Sequence, residues 1–520
     1  MEEATKILLR HIPRNLSYPY LEENQDLYSL TAKIFKYHLE DINNNLKQIP
    51  ENIVIPLFKK FSTDPKGQVR RAVAESLASF PTDEAFSLLE KLSTDSATYV
   101  REAVARSLTS LPPETALPLL EKLSTDRKEH VRRAVAKTLS SFPPEKALPL
   151  LKKLSTDNNW QVREAAAEAL TKFPPEKALP LLKRLSNDND DYVRKAITKA
   201  LSSFPHETAI PFLEKLSDDS KWEVRKAVVQ SLTSFPHDKA FPLLRKLSSD
   251  PRNEVREAVA QVLTSFSSEK ALFLLEKLYN DSCDEVRKAV AESLASFPTE
   301  KTLFLLEKLS TDPDHFVRCA VARSLTSFPP EKALPILENL CNDSHPGVRY
   351  LVAESLASFP TERAVLLLEN LLTDPVEYVR HTAAKSLANF PPEKALPLLE
   401  KLSTDPNGYV RSSVAESLAS FPTEKAFLLL KKLSTDRHWE VREAVAQSLT
   451  SFPPEIALPL LEKLTTDPSY SVREAVAHSL ASFPSKKAFP LLEKLSNDSS
   501  EGVRYAVAQS LASSPPEKAL

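Results

Sequence analysis

The sequence predicts an all-α solenoid, a fold made of stacked pairs of antiparallel helices. A unit of 31 residues repeats fifteen times, and every copy has a Val-Arg pair at the same place, from Arg70 to Arg504. An aspartate lies six residues before each of these arginines, from Asp64 to Asp498. A fixed period of this length indicates units that are too small to bury their own apolar faces and that complete one another's core.

The composition supports this class and argues against several functions. Hydrophobic residues make up 42% of the chain and charged residues 27%, which suits a continuous core with a polar exterior. The net charge of −2 gives no bulk attraction to nucleic acid or to a membrane surface. With only four glycines, the chain has no Walker loop, dinucleotide fingerprint or kinase glycine loop, which disfavours most nucleotide-dependent enzymes.

One unit, residues 142–172, illustrates the predicted helical pair. Its Pro-Pro-Glu start suits a first helical turn, and the apolar stripe of this helix is predicted at Ala147, Leu148, Leu151 and Leu154. Pro149 lies inside the helix and predicts a bend or a later start. We expect Asp157 to cap the second helix and prolines that follow this aspartate, such as Pro65, to take the first helical position. The buried stripe of the second helix is predicted at Val162, Ala165, Ala166 and Leu170.

The two ends of the chain differ from the repeats. Residues 50–520 are predicted to form the solenoid, and residues 1–49 a divergent helical cap, because terminal repeats need a more polar outer face. The chain stops six residues into another first helix. Either the last helical pair tolerates exposure or the sequence is part of a longer protein.

The paired helices, the proline inside the first helix and the Asp…Val-Arg spacing resemble HEAT repeats, in particular the short bacterial type found in phycobilin lyases. The resemblance covers residues 50–520. It implies a right-handed superhelix whose second helices line the concave side, and a ladder of Asp and Arg side chains along the stack. Members of this class have many functions, so the fold alone does not specify one.

Aromatic residues recur in the first turn of the second helix, where a ring can cover the adjoining repeat. Packing is the first interpretation of this pattern. An uninterrupted run over four repeats is also a candidate strip for a protein partner, because aromatic residues are enriched in binding hot spots. The strip consists of Tyr378, Tyr409, Trp439 and Tyr470.

The residue that follows each Val-Arg pair varies, although the rest of the unit is nearly copied, which indicates an exposed position. Simple solvent exposure and binding explain this variation equally well. Together with the residue four positions later, it forms a strip along the second helices. The candidate binding residues in this strip are Arg133, Lys137, Lys195 and Lys199.

Charges alternate in sign at one position of five successive second helices. The residues are Glu292, Arg323, Glu354, Lys385 and Glu416. Packed helices lie about 8–10 Å apart, so these side chains are within reach of one another. A self-neutralising surface ladder and charge-patterned recognition of a partner are both open interpretations.

The function predicted from these features is a non-catalytic scaffold or adaptor that binds a protein partner along its concave surface. One alternative is a bilin-lyase-like enzyme or enzyme subunit. Another is a nucleic-acid-binding solenoid, which is disfavoured because Glu129, Glu164 and Glu168 interrupt the basic residues of the third and fourth repeats. No catalytic residue and no cofactor are predicted.

No metal site is predicted. The HEAT-like deoxyhypusine hydroxylases, which this chain resembles in fold, bind two irons through His-Glu pairs after the Val-Arg position. Here only His381 occupies that position, while His206-Glu207 and His237-Asp238 begin two first helices.

A cytoplasmic location is expected. The three cysteines show no pairing pattern, which points to a reducing compartment. The first residues are acidic and include no long apolar run of the kind found in secretory signals. No stretch approaches the length of about 20 apolar residues that a membrane span needs.

Overall fold

The computed structural model describes residues 51–80, 82–266 and 269–512, and these ranges contain α-helices and short 3-10 turns without a β-strand. The predicted all-α class is confirmed. The chain divides into two compact units, residues 1–258 and 259–520. Residues 1–49, the predicted cap, lie outside the part of the chain that the structure describes.

Each described repeat contributes a first helix with an odd number and a second helix with an even number. The helices that begin in the first unit are α1 (Glu51–Phe61), α2 (Gly67–Leu77), α3 (Asp83–Leu92), α4 (Thr98–Ser107), α5 (Pro113–Leu123), α6 (Glu129–Thr138), α7 (Pro144–Leu154), α8 (Trp160–Ala169), α9 (Pro175–Leu185), α10 (Asp191–Leu201), α11 (His206–Leu216), α12 (Trp222–Ser231), α13 (His237–Leu247) and α14 (Asn253–Val262).

The helices of the second unit follow the same order. They are α15 (Glu269–Leu278), α16 (Asp284–Leu294), α17 (Glu300–Leu309), α18 (His315–Ser324), α19 (Pro330–Leu340), α20 (Pro346–Leu356), α21 (Glu362–Leu371), α22 (Glu377–Ser386), α23 (Pro392–Leu402), α24 (Gly408–Leu418), α25 (Glu424–Leu433), α26 (Trp439–Ser448), α27 (Pro454–Leu464), α28 (Tyr470–Leu480), α29 (Ser485–Ser496) and α30 (Glu501–Ala512).

In several repeats the first helix starts at a proline and continues through another. In α7, Pro143 is the N-cap and Pro144 the first helical residue, where a missing N–H costs no hydrogen bond. The helix continues through Pro149 to Leu154, so the later start expected at this proline is wrong. Pro149 lies on the exposed side of α7, where water can satisfy the backbone carbonyl that loses its partner.

The buried stripe of α7 differs from the prediction by one residue. Ala147, Leu151 and Leu154 are buried as expected, but Leu150 is buried in the place predicted for Leu148. Leu148 is half-exposed.

The second helix begins later than the sequence suggested. The N-cap of α8 is Asn159, whose side chain accepts a hydrogen bond from the Gln161 amide. Asp157 Oδ1 accepts from the Asn159 amide at 2.9 Å, so this aspartate closes the turn before the cap and is not the cap itself. Pro65 likewise lies in the turn before α2 and not at its first position, which is Gly67.

Small residues form the buried face of the second helices. Val162, Ala165, Ala166 and Leu170 are all buried as predicted. Because alanine side chains are short, neighbouring second helices approach closely, and within each unit they contact each other more extensively than the first helices do. This difference places the second helices on the inner side of the curvature of each unit.

Within each of the two units, an arginine–aspartate ladder joins successive repeats. Arg101 of α4 donates to both carboxylate oxygens of Asp126 in the next repeat, with Nε–Oδ2 and Nη2–Oδ1 distances of 2.6 and 2.9 Å. Its Nη1 also donates to the backbone carbonyl of Asp95 in its own repeat, at 2.7 Å. The same pairing across 25 residues recurs along the chain, from Arg70 with Asp95 to Arg473 with Asp498. The ladder expected from the resemblance is therefore present.

The ladder shifts the pKa values of Asp126 and Arg101. Burial by itself raises the pKa of Asp126, but the hydrogen bonds from Arg101 and from the Lys128 amide outweigh burial, and the pKa is lowered. The pKa of Arg101 is raised by its hydrogen bond to Asp126. Both partners are therefore held in their charged forms.

Removing one ladder arginine should destabilise the fold. Arg411 is buried and donates to Asp436 from Nε at 2.6 Å and from Nη2 at 2.7 Å. We expect Arg411→Ala to lower the free energy of unfolding by about 3 kcal/mol, because the carboxylate of Asp436 loses its counter-charge. Urea unfolding followed by circular dichroism measures this change.

The matched control is Arg437→Ala, which removes an exposed guanidinium from the turn after α25. Its effect should stay within about 0.5 kcal/mol. Equal stabilities of Arg411→Ala and the unmodified chain would show that the ladder does not hold the repeats together.

The lowered pKa values of ladder aspartates such as Asp126, Asp157 and Asp436 also predict sensitivity to acid. A carboxyl whose folded pKa is depressed stabilises the fold above its unfolded pKa of about 4, and this stability is lost as the pH falls through the folded value. We expect the urea midpoint to be nearly constant between about pH 7 and 5 and to fall steeply below about pH 4. In Asp126→Asn the decline should be shallower. A midpoint that does not change down to about pH 3 would contradict this account.

Candidate partner-binding surface on the second helices

The residues that the sequence singled out all lie on the second helices. In the first unit, Arg133 of α6 is half-buried and Lys137 is exposed, while Lys195 and Lys199 of α10 are both exposed. In the second unit, the four aromatic residues of the predicted strip lie in the first turns of α22, α24, α26 and α28 and are all exposed. They are Tyr378, Tyr409, Trp439 and Tyr470.

A groove of about 500 Å³ crosses α8, α10 and α12 in the first unit. Lys195 and Lys199 line it from α10, whereas Arg133 and Lys137 lie on α6 and do not reach it. Other polar residues also line the groove. Those used below are Glu164 and Glu168 of α8, Tyr192 of α10, and Gln230 of α12.

The two glutamates of α8 have their counter-charges on α6. Lys137 Nζ lies 3.3 Å from Glu168 Oε2. The pKa of Glu164 is raised, mainly by burial and to a smaller extent by repulsion from Glu168. The positive charges of Arg133 and Lys137 act to lower it. Arg133 Nε is buried and has no hydrogen-bond partner in the described structure. Charges of α6 and α8 therefore offset one another.

The two lysines of the groove have no such partners. Within the described ranges, no carboxylate oxygen lies within 4.0 Å of the ammonium of Lys195 or of Lys199. Residues four positions apart project from the same face of a helix, so both ammonium groups belong to one side of α10. They are the unpaired cations of the groove.

A hydroxyl ladder also joins neighbouring second helices. Ser107 Oγ of α4 donates to the backbone carbonyl of Ala74 in α2, at 2.7 Å. Thr138 makes the same bond to the carbonyl of the residue 33 positions earlier. In the second unit the bond recurs from Ser293 to Ser510.

This hydroxyl ladder is interrupted at the groove. Ala169 in α8 and Ala200 in α10 have no hydroxyl at this position. Ser231 Oγ of α12 donates instead to the backbone carbonyl of Val228 in its own helix, at 2.8 Å. Thr198 Oγ1 of α10 likewise donates to the backbone carbonyl of Lys195, at 2.7 Å. The groove therefore lies where the second helices lose a regular bond between neighbours.

An aromatic pair borders the same groove. The rings of Trp160 and Tyr192 are stacked, with centroids 4.6 Å apart and an interplanar angle of 26°. Trp160 is half-buried, but Tyr192 is 53% exposed. The packing interpretation of the first-turn aromatics holds for Trp160, and Tyr192 keeps a free face beside the lysines.

The predicted strip in the second unit is more exposed than a packing role requires. Tyr409 is 65% exposed and Trp439 42%, whereas the equivalent Trp160 and Trp222 in the first unit are half-buried. No ring of the strip stacks on another within the described residues, although Tyr378 meets Tyr350 edge-on at 6.1 Å. The four side chains are separate contact points on successive repeats.

A polar network that the sequence did not reveal supports this strip. Ser413 Oγ lies 2.5 Å from His381 Nδ1 and 3.0 Å from the carbonyl of Tyr409. Ser412 Oγ reaches the carbonyl of Glu440 in the next repeat, at 3.4 Å. Ser413 is fully buried, so it cannot attack a substrate, and its pairing with histidine fixes the backbone below Tyr409. In the sequence, this network is indicated by the serine at position 413, where most repeats have alanine.

The alternating charges of the second unit form one close pair across repeats. Lys385 Nζ lies 2.8 Å from Glu416 Oε2. Glu292 is near Lys288 of its own helix, at 3.8 Å. Arg323 and Glu354 have no ion pair within the described ranges. A continuous self-neutralising ladder is therefore not formed.

The histidine pairs considered for metal binding make local contacts. His206 Nε2 lies 2.9 Å from Glu207 Oε1, and His237 packs edge-on against Phe241. Among the described residues, the only grouping of three metal-ligand types is Cys283, Asp284 and Glu285. These are consecutive residues at the start of one helix and do not come from different elements.

No described helix is long and apolar enough to cross a membrane.

Seven segments of the chain match the family model of HEAT repeats: residues 44–109, 87–171, 149–233, 214–295, 302–388, 365–450 and 427–512. The chain belongs to the HEAT-repeat family. This match does not extend to the phycobilin-lyase subtype, and no curated protein sequence matches the chain.

Solved karyopherin structures have similar folds. Kap121p matches with a TM-score of 0.55 and 16% identity, over 91% of this HEAT-repeat chain and 57% of Kap121p. Kap95 in the Kap95:Nup1 complex matches with a TM-score of 0.56 and 13% identity, over 97% of this chain and 82% of the other. The chain thus spans little more than half of Kap121p. At these identities, the likeness concerns the fold alone.

Proposed function

We propose that this HEAT-repeat protein is a non-catalytic scaffold or adaptor that binds a protein partner along the surface of its second helices. The observation that carries the proposal is the exposed strip of Tyr378, Tyr409, Trp439 and Tyr470 on four successive helices. Large aromatic side chains lose little conformational entropy on binding and dominate interface hot spots.

The backbone beneath the strip supports this role. Ser413 and His381 hold the Tyr409 carbonyl from two neighbouring helices, at 3.0 and 3.3 Å. Preorganised contact residues reduce the ordering cost of association. Adjacent helices lie about 8–10 Å apart, so four anchors extend over about 25–30 Å, the scale of a specific protein interface.

The fold neighbours support the class of partner. One crystal structure contains Kap121p bound to Pho4p, and another contains Kap95 with Nup1. Each of these neighbours is thus seen with a protein partner, and we extend this general property to the present chain.

The proposed location is the cytoplasm. Its support is that Cys319 and Cys341 are free thiols. Burial raises the pKa of Cys341 to about 12, which leaves this thiol unreactive.

The test is quantitative affinity capture from native host lysate with the full chain, followed by mass spectrometry. The unmodified chain should retain a stoichiometric protein partner after nuclease treatment. Tyr409→Ala with Trp439→Ala should weaken binding of that partner by about tenfold or more, because two hot-spot side chains are removed. The dissociation constant is then measured with the purified partner.

The control is Phe273→Ala with Phe304→Ala, which removes two exposed aromatic rings from the first helices α15 and α17. This double variant should bind as the unmodified chain does. Equal weakening by both pairs would contradict a site on the second helices. Loss of every partner on nuclease treatment would favour nucleic acid, and recovery of a pigment alone would favour the bilin-lyase alternative.

A further inference from the structure

We propose that the groove across α8, α10 and α12 binds an acidic peptide segment whose carboxylates pair with Lys195 and Lys199. The inference rests on the proposed function, since it assigns a ligand class to the second helices of the first unit. It concerns the first unit and residues other than the aromatic strip.

Two lysines of the groove carry charges that are available to a ligand. The glutamates on the α8 side are offset by α6, with Lys137 at 3.3 Å from Glu168. Lys195 and Lys199 have no carboxylate within 4.0 Å among the described residues. Unpaired lysines on one helix face attract carboxylates and gain most when the site is partly desolvated. The groove therefore offers two free positive charges.

The carboxylates of the groove wall favour an acidic peptide over a nucleic acid. A nucleic-acid backbone carries a phosphate at every nucleotide and cannot avoid the carboxylates that share this groove. Glu164 and Glu168 line the wall next to the lysines. A peptide places its charges only at chosen side chains and can present neutral groups to this wall. Discrete carboxylates fit the pattern, whereas a continuous polyanion does not.

The size of the groove and its uncharged lining indicate the size and the neutral part of the ligand. A volume of about 500 Å³ accommodates a few side chains. Tyr192 is stacked on Trp160 and keeps an exposed ring face at the groove, which suits an apolar ligand side chain. Gln230 of α12 supplies an amide for a backbone or side-chain carbonyl. The expected segment thus combines acidic residues with an apolar one.

The experiment uses fluorescence anisotropy with the full chain and a fluorescein-labelled peptide, Glu-Glu-Leu-Glu-Glu-Phe. A second peptide has glutamine in place of every glutamate. We expect the acidic peptide to bind at least about tenfold more tightly than the glutamine peptide, with affinity that falls as salt rises. A Lys195→Glu, Lys199→Glu variant should lose at least about tenfold in affinity for the acidic peptide.

The matched control is Lys183→Glu with Arg184→Glu. These two residues are exposed on α9, the first helix of the same repeat, and their reversal changes the net charge equally. This control should keep the affinity within about twofold, and its circular dichroism should match that of the groove variant. A benzophenone-bearing acidic peptide should crosslink to the tryptic fragment that contains Tyr192.

Several outcomes overturn the inference. These are equal affinities for the two peptides, equal losses in the groove variant and its control, or tighter binding of a single-stranded DNA 20-mer that depends on Lys195 and Lys199. If peptide binding fails while Tyr409→Ala with Trp439→Ala still releases the captured protein, the groove inference falls and the scaffold function stands. If neither variant weakens any interaction, both proposals fall.

Discussion

The bidentate contact between a second-helix arginine and the aspartate of the next repeat is the constraint on which the rest of the structure depends. The planar guanidinium fixes both the distance and the angle to its carboxylate. Arg101 illustrates this, because it also holds the carbonyl of Asp95 in its own repeat and so ties two repeats and the intervening turn together. Rotation of one second helix relative to the next would break several bonds at once.

A fixed phase has a direct consequence for function. Residues at equivalent positions of successive repeats stay aligned along the surface, so the chain can vary them without altering the scaffold. Lys195 and Lys199 project from the same face of α10, and Tyr409 and Trp439 occupy the first turns of neighbouring second helices. The two candidate sites occur where buried positions depart from the repeat, at Ala200 for the groove and at Ser413 for the strip.

Much of this structure follows from the sequence. The period predicts the helical pairs, and helical spacing correctly identifies the buried stripe of α8. The N-cap assignment of Asp157 was wrong, because an aspartate can close a turn two residues before the cap. The later helix start predicted at Pro149 was also wrong. A proline on the exposed side of a helix leaves a carbonyl that water can satisfy, so the helix continues through it.

The candidate sites were less predictable, because they depend on distances between repeats. Lys195 and Lys199 stood out in the sequence, but their lack of a counter-ion depends on Lys137 meeting Glu168 on the other side of α8. His381 and Ser413 lie 32 residues apart and meet only in the folded chain. A substitution of serine for alanine is visible in the sequence, but its partner is not.

Hydroxyl-radical footprinting of the full chain, free and with its captured partner, tests the central functional claim most directly. The method reports the solvent accessibility of individual side chains. The account predicts that Tyr409, Trp439 and Tyr470 become protected in the complex, while Phe273 and Phe304 on the first helices stay as reactive as in the free chain. Protection of Phe273 and Phe304 with unchanged reactivity of the strip would contradict it.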